Sequence, residues 1–423
     1  MLTADPKREF AVEVVRRLQE AGFRALWAGG CVRDFLMGRI PKDYDVATDA
    51  RPESVREIFA RRRTLEVGVS FGVIVVVGTK KSGNVEVATF RTEGPYADGR
   101  RPDHVAFSTP EEDALRRDFT INGMFYDPIA QKVFDFVGGE KDLAAGVIRA
   151  IGNPADRMSE DKLRMLRAAR FAASLDFALD TGTADAVRAS ATEIRVVSAE
   201  RITQELRKML VDPHRRRAME LVTELALLGE IIPELIPAIS TEGGANAEWM
   251  RALRRLQLLN EPGFELAIAA VLLSLPDRQS QAYAICKRLR MSNNELDAIG
   301  WMLQHFADVS SSKTKSLAEL KRLLVHQCAP DLLELARADA LAGDRDLSPV
   351  MHCEELLRQT PREQLDPPPL ITGADLIAMG LEPGSLFREI LDAVRDAQLN
   401  EVIFTKDEAL RLVTTLINQN RTG

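Results

Sequence analysis

The chain opens on a helical pattern. Behind Asp5-Pro6, apolar residues recur at Phe10, Val14, Val15 and Leu18, one face of a helix that Gly22 can close. The period then shortens. Phe23–Ala28 reads as a strand running into Gly29-Gly30, and Tyr44–Val46, Val73–Val77, Val85–Phe90 and Val133–Val137 are further strand candidates. A helix is expected over Arg51–Arg62, between two of them. From Met158 onward the strand signals fade. Helical periodicity runs through Ser159–Leu175, Thr183–Ala191, Ser198–Leu210 and Arg215–Leu228, then on to Gln419 with prolines as punctuation. The pattern predicts an α/β or α+β head of about 150 residues, α+β being the class the motifs below favour, followed by about 270 residues of helix.

Composition narrows this picture. With 45% hydrophobic and 28% charged residues in 423, the chain can build cores and is not disordered. No apolar run approaches the ~18 residues of a bilayer-spanning helix, so no membrane role is expected. Asp5, Glu9 and Glu13 interrupt the start, unlike a signal or transit peptide. Cys31, Cys286, Cys328 and Cys353 stand far apart and read as reduced thiols of a cytoplasmic protein, not as a disulfide or zinc framework. The net charge of −7 gives a nucleic-acid partner no general support, so any such surface must be local. Candidate basic clusters are Arg215-Arg216-Arg217, then Arg251 with Arg254 and Arg255. Lys287, Arg288 and Arg290 form a third, and Lys313, Lys315, Lys321 and Arg322 a fourth.

The head carries the candidate chemistry. Gly29 and Gly30 follow a strand and open a helical stretch, a turn that lets backbone approach a phosphate, with Arg33 adding a charged fork. A tight strand–helix turn explains the same residues. In Asp43-Tyr44-Asp45, a strand would put both carboxylates on one face about 7 Å apart. Two such like charges favour a bridging divalent cation, and hard oxygen ligands point to Mg²⁺, although an Asp-rich surface turn is also consistent. Glu86 faces away from Val85 and Val87, so it joins the pair if the two strands are neighbours. That would give the three-carboxylate floor of two-metal phosphoryl transfer. Asp118 and Asn122 share a face if Arg116–Asn122 is helical, suiting a ribose and a phosphate. Asp161 and Arg164 stand three apart on a helix that Ser159 can cap. A carboxylate that accepts from an amino group, beside a guanidinium that donates to a ring nitrogen, suits cytosine and adenine and repels uracil and guanine. Alone, Glu160 and Asp161 could instead merely complement a helix dipole.

In order along the chain these motifs are GGCVRDFLMGRIPKDYDVAT (29–48), EVATFR (86–91), RRDFTING (116–123), FVGGEKDL (136–143), SEDKLRMLRAARFAASLDF (159–177) and VSAERITQEL (197–206). The series resembles the class II tRNA nucleotidyltransferases and bacterial poly(A) polymerases, a branch of the polymerase-β-like nucleotidyltransferases. It spans residues 1 to about 235. The resemblance implies a nucleotidyltransferase head at 1–143 and a helical neck at 144–213, followed by a helical body at 214–330 and a helical tail at 331–423. It implies two Mg²⁺ ions on Asp43 and Asp45, with Glu86 as a third catalytic acid. Gly29, Gly30, Arg33, Arg117 and Asn122 would hold the nucleotide, Asp118 its ribose, and Asp161 with Arg164 its base. Thr92–Asp103, with Tyr96, Asp98, Arg100 and Arg101, looks like the family's flexible loop, which accompanies the change from CTP to ATP.

The expected function is template-independent addition of CCA to the tRNA 3′ end from CTP and ATP, with release of pyrophosphate. Leu65–Val73 is similar to the tRNA enzymes' V-G-x-x-x-G-T, with Val73 replacing the Thr, and lacks the basic segment of the poly(A) polymerases. The loop argues against a CC-only enzyme and leaves an A-only enzyme open. A poly(A) polymerase and an inactive RNA-binding relative compete with it. A glycosyltransferase using the D-x-D would make the later motifs coincidental.

Overall fold

The computed structural model describes residues 5–66, 72–93, 105–240 and 246–422. The chain forms two compact units, Met1–Pro233 and Glu234–Gly423.

The first unit begins with α1 (Pro6–Glu20), β1 (Ala25–Ala28), α2 (Gly30–Leu36), β2 (Asp45–Thr48), α3 (Pro52–Phe59) and β3 (Thr64–Leu65). Then come β4 (Val73–Val77), β5 (Asn84–Thr89), β6 (Arg91–Glu93), β7 (Val105–Phe107) and α4 (Pro110–Leu115). β8 (Phe125–Asp127), β9 (Lys132–Phe134) and α5 (Gly139–Ala145) complete the head. Seven strands make one sheet in the order β3-β4-β5-β2-β1-β8-β9, while β6 and β7 pair separately. Within the large sheet β2 and β5 run parallel, with Asp45 opposite Glu86 and Val46 opposite Val87.

Alternation along the strands gives the sheet two different faces. On one, Trp27, Val46, Val76, Val85 and Val87 pack with Ala11, Val14, Val15 and Leu18 of α1 and Val55 and Phe59 of α3. The Asp5 side chain caps α1 by accepting from the Lys7 amide at 3.0 Å, and Pro6 fills the first turn, as the sequence predicts. On the other face lie Leu26, Ala28 and Ala47, packed with Phe90, Ala114 and Phe125. Asp45 and Glu86 share this second face with Ala47 and Ala88, two residues on.

Four expectations change. The helix over Arg51–Arg62 stops at Phe59, because Ala60 takes φ 64°; Arg61–Arg63 then form a 3₁₀ turn. The helix over Ser159–Leu175 is two helices, α6 (Pro154–Glu160) and α7 (Leu163–Leu175). Ser159 lies inside α6, with its hydroxyl on the Asp156 carbonyl at 3.1 Å, and caps nothing. Asp161 is the extended residue that ends α6, at φ −133° and ψ 104°. Its Oδ1 accepts from the Leu163 amide at 3.1 Å, so its side chain serves the start of α7. Finally, Asp43 precedes β2 rather than sitting in it, and Arg116–Asn122 is not an α-helix. Phe119 bridges to Ala150 in β fashion, and Thr120–Asn122 is a 3₁₀ turn.

The unit closes with the short parallel pair β10 (Val147–Ile148) and β11 (Ala178–Leu179), with α6 and α7 between them. α8 (Thr181–Ser190), α9 (Ala199–Leu210) and α10 (Arg215–Glu224) follow; α9 and α10 both pack on α7.

In the second unit the helix Phe264–Leu272 is buried at every position but Glu265, the mark of a central core helix. Arg255 is fully buried there, donating to Asp339, to the Ala270 carbonyl at 2.9 Å and to the Ser274 hydroxyl at 2.9 Å. Helix Ala329–Ala342 runs across the body–tail boundary expected at residue 330. A separate core gathers Ile371, Leu376, Ile390, Val394 and Val413. No described helix is long and apolar enough to cross a membrane.

Candidate active site

A cleft of about 440 Å³ lies beside the end of the sheet's second face, with α7 contributing to its lining. It gathers Gly29, Gly30, Arg33, Asp45, Arg117, Asp118, Asn122, Asp161 and Arg164, all candidates from sequence. It adds Arg116, Arg167 and Phe171, which sequence reasoning did not single out. Five arginines against three aspartates make the lining suitable for an anion such as a triphosphate.

The glycine turn is sterically required. Gly29 has φ 73°, and a Cβ there would stand 2.9 Å from Nη1 of Arg117. Arg33 is buried, with Nη1 donating to Asn122 Oδ1 at 2.8 Å and Nε donating to Asp34 Oδ1 at 2.9 Å. Asn122 Nδ2 in turn donates to Asp118 Oδ1 at 3.1 Å, and Arg167 Nε donates to Asp118 Oδ2 at 2.9 Å. The Asp118–Asn122 contact expected on a helix therefore forms through a tighter turn. Burial by itself raises the Asp118 pKa. The Arg167 charge and the hydrogen bonds from Asn122, Arg167 and the Phe119 amide outweigh it and bring the group down to about 2.

Asp113 sits behind the cleft and organises two of its cations. Its Oδ1 accepts from Arg116 Nε at 2.8 Å, and its Oδ2 accepts from Arg117 Nη2 at 2.9 Å. Despite burial, these two charges hold Asp113 below the ordinary carboxylate range.

Asp45 and Glu86 are register neighbours on the sheet. The protein around Asp45, then the Glu86 charge, push its pKa up to about 6, with Arg117 opposing and Asp43 adding a smaller rise. Asp43 is largely exposed and stands 3.6 Å from Lys7 Nζ. Neither Asp43 nor Glu86 lines the cleft. Among the described residues no group of three or more Asp, Glu, His or Cys side chains is arranged to hold a metal ion. Of the expected carboxylate trio, Asp45 and Glu86 are neighbours on the sheet, and Asp43, just before β2, adds its charge to Asp45 while also facing Lys7.

The Asp161–Arg164 pair is braced on both sides. Arg201 Nη2 donates to both oxygens of Asp161, at 3.2 and 3.0 Å. Arg164 Nη1 donates to Glu160 Oε2 at 2.6 Å and to the Arg157 carbonyl at 3.1 Å, and its Nη2 donates to the Arg116 carbonyl at 2.9 Å. Arg201 belongs to the VSAERITQEL stretch, yet its pairing across 40 positions leaves no local signal. The loop residues Tyr96, Asp98, Arg100 and Arg101, and most of Leu65–Val73, lie outside the described residues.

The basic clusters expected to contact RNA are mostly paired internally. Arg216 and Arg217 meet Glu220, and Arg215 is buried. Arg251 and Arg255 share Asp339, while Arg254 meets Asp344. Arg288 pairs with Glu234, Lys315 with Asp308, Lys321 with Glu401 and Arg322 with Asp396.

Comparison with known proteins matches this geometry to a family. Residues 25–149 match a poly A polymerase head domain, and 176–239 a probable RNA and SrmB-binding site of polymerase A. The CCA-adding enzyme of Lactobacillus helveticus is 32% identical over 95% of this chain and 95% of its own. The chain belongs to the CCA-adding enzymes. The CCA-adding enzyme of Geobacillus thermodenitrificans is also 32% identical, over 99% of this chain and 98% of its own. The Bacillus stearothermophilus CCA-adding enzyme, solved in complex with CTP, superposes with a TM-score of 0.79 at 30% identity, covering 99% of each chain. The Thermotoga maritima CCA-adding enzyme, solved with tRNA, shares the fold at a TM-score of 0.68 and 20% identity, over 98% of this chain and 97% of that one.

Proposed function

We propose that this cleft adds C, C and A in turn to the 3′ end of tRNA, from CTP and ATP, without a nucleic-acid template. The tRNA 3′-hydroxyl oxygen bonds to the α-phosphorus of the nucleotide, the bond from that phosphorus to the β-phosphate oxygen breaks, and pyrophosphate leaves. The hydroxyl proton passes to solvent. Gly29 and Gly30 leave room for the phosphates, Arg33 and Arg117 bind them, and Asp118 and Asn122 orient the ribose. The observation that carries this reading is the presence of Asp161 and Arg164 in the same cleft as Asp45 and the phosphate-sized arginine cluster.

The hydrogen-bond inventory supports base selection by protein alone. Three of the five Arg164 donors are used by Glu160, Arg157 and Arg116, leaving two for a ring nitrogen or carbonyl. Asp161 accepts three hydrogen bonds and keeps a lone pair for an exocyclic amino group. Cytosine and adenine present that amino group; uracil and guanine present a carbonyl.

The hard oxygens of Asp43, Asp45 and Glu86 suit Mg²⁺; burial and then the Glu86 charge lift Asp45, and a divalent cation relieves the second of these. Asp43 and Asp45 would hold two such ions, with Glu86 beside them. Bound magnesium supplies charge stabilisation to the transferring phosphate.

The test uses tRNAs lacking three, two or one terminal nucleotides, each offered CTP, ATP or both. Full CCA addition extends all three to the same end. Extension only of the tRNA lacking its final A marks an A-adding enzyme, long A tracts mark a poly(A) polymerase, and no incorporation with Mg²⁺ marks an inactive relative. Asp45→Ala should lose at least 10²–10³-fold in turnover while still binding tRNA, the scale expected when charge stabilisation at a transferring group is removed.

A further inference from the structure

The head carries a second cationic feature, unrelated to the cleft lining. Arg61, Arg62 and Arg63 are consecutive, and all three are exposed. None of them has an acidic partner among the described residues. The nearby acid Glu66 is already paired with Arg56, so it does not neutralise the turn. Three guanidinium groups on one turn, uncompensated among the described residues, are unusual in a protein of net charge −7.

The sheet register relates this turn to the chemistry. Asp45 on β2 is opposite Glu86 on β5, Glu86 is opposite Val75 on β4, and Val75 is opposite Leu65 on β3. Residues directly opposite share a face, so the row Asp45–Glu86–Val75–Leu65 crosses the carboxylate-bearing face to the sheet edge. Three strand spacings of ~4.8 Å put Leu65 about 14 Å from Asp45. The arginine turn leads directly into β3, and Leu65 itself is half exposed at 51%.

We infer that Arg61–Arg63 form a phosphate-backbone contact for tRNA, on the head, beyond the nucleotide cleft. The inference rests on the proposed function and assigns a surface to its substrate. A cleft of about 440 Å³ holds a nucleotide and the reacting end, so the rest of the polyanion lies outside it. Phosphates along one stacked strand advance about 3.4 Å each, so a 14 Å span corresponds to roughly four phosphates from the reacting end. That reaches the last paired nucleotides of the acceptor stem. Contacts of this kind fix position and confer salt dependence without reading sequence.

The experiment compares wild type with Arg61→Gln/Arg62→Gln/Arg63→Gln and with the triple Lys variant. tRNA lacking CCA is bound at 50–200 mM salt, and CTP incorporation is followed at saturating tRNA. Loss of three phosphate contacts should weaken binding at least tenfold at 150 mM salt and reduce the log–log salt slope by about 2. The KM for CTP should stay unchanged, and the Lys variant should keep the wild-type slope. Equal affinity and equal slope for the Gln variant would overturn the inference. Wild-type protein that binds tRNA but adds nothing would instead overturn the function reading.

Discussion

Asp161 owes its orientation to a residue 40 positions away. Arg201 holds both of its oxygens, and the Leu163 amide holds one. Removing Arg201 should let the carboxylate rotate without deleting it. Arg201→Ala is therefore expected to admit UTP and GTP some 10- to 100-fold more readily relative to CTP, the range of a few kcal/mol of lost discrimination. Asp161→Ala should relax selection at least as far, and Arg201→Lys should restore part of it; competition assays with mixed nucleotides measure all three. Asp118 makes a prediction about acid. Its folded pKa, about 2, lies below the ordinary 3.8, so the unfolded chain takes up this proton first as pH falls. Its contribution, about 2 kcal/mol, is full above roughly pH 5 and disappears as the pH drops toward 2. Asp118→Asn should flatten that part of the acid limb in urea titrations run across pH.

At the scale of elements, the sequence was most legible where one pattern had room to repeat. α1, β4 and β5 were expected nearly as they occur, and the glycine turn opened the expected helix. Where elements are three residues long, as in β6, β7 and β8, no periodicity can accumulate, and all three were unseen. Asp161 shows a different limit. Its neighbours on both sides are helix formers, so the break at an extended aspartate between α6 and α7 had no local signature. The site residues were legible because their spacing carried the resemblance, whereas Arg167, Phe171 and Arg116 reach the cleft only through the packing of α7 and the turn after α4. Ala60 is a further case of tertiary override, holding φ 64° at the end of α3. Ala60→Gly should relieve that strain and stabilise the protein by about 1 kcal/mol after the entropy of the unfolded glycine is counted. A shift of the urea midpoint without a change in slope checks it.

Across the whole molecule, charge is handled mostly by local pairing. The basic runs that offered candidate RNA contacts in the second unit are largely paired with Asp339, Asp344, Glu401 and Asp396. Arg255 and Asp339 form the most buried of these pairs, and Arg251 and Arg345 meet the same carboxylate. Asp339→Asn leaves a buried guanidinium poorly compensated and is expected to cost about 3–5 kcal/mol in equilibrium unfolding. Its effect on nucleotide choice should be nil, because every cleft residue lies in the first unit.

All four cysteines are buried and free of disulfides, and burial pushes Cys31 up to about 11 and Cys286 up to about 12. Alkylating dyes react with accessible thiolates, so the folded native chain is nearly silent toward them. A single cysteine introduced on the surface would consequently take a fluorophore almost alone, making the protein ready for optical tracking of its substrate without first stripping out its own sulfurs.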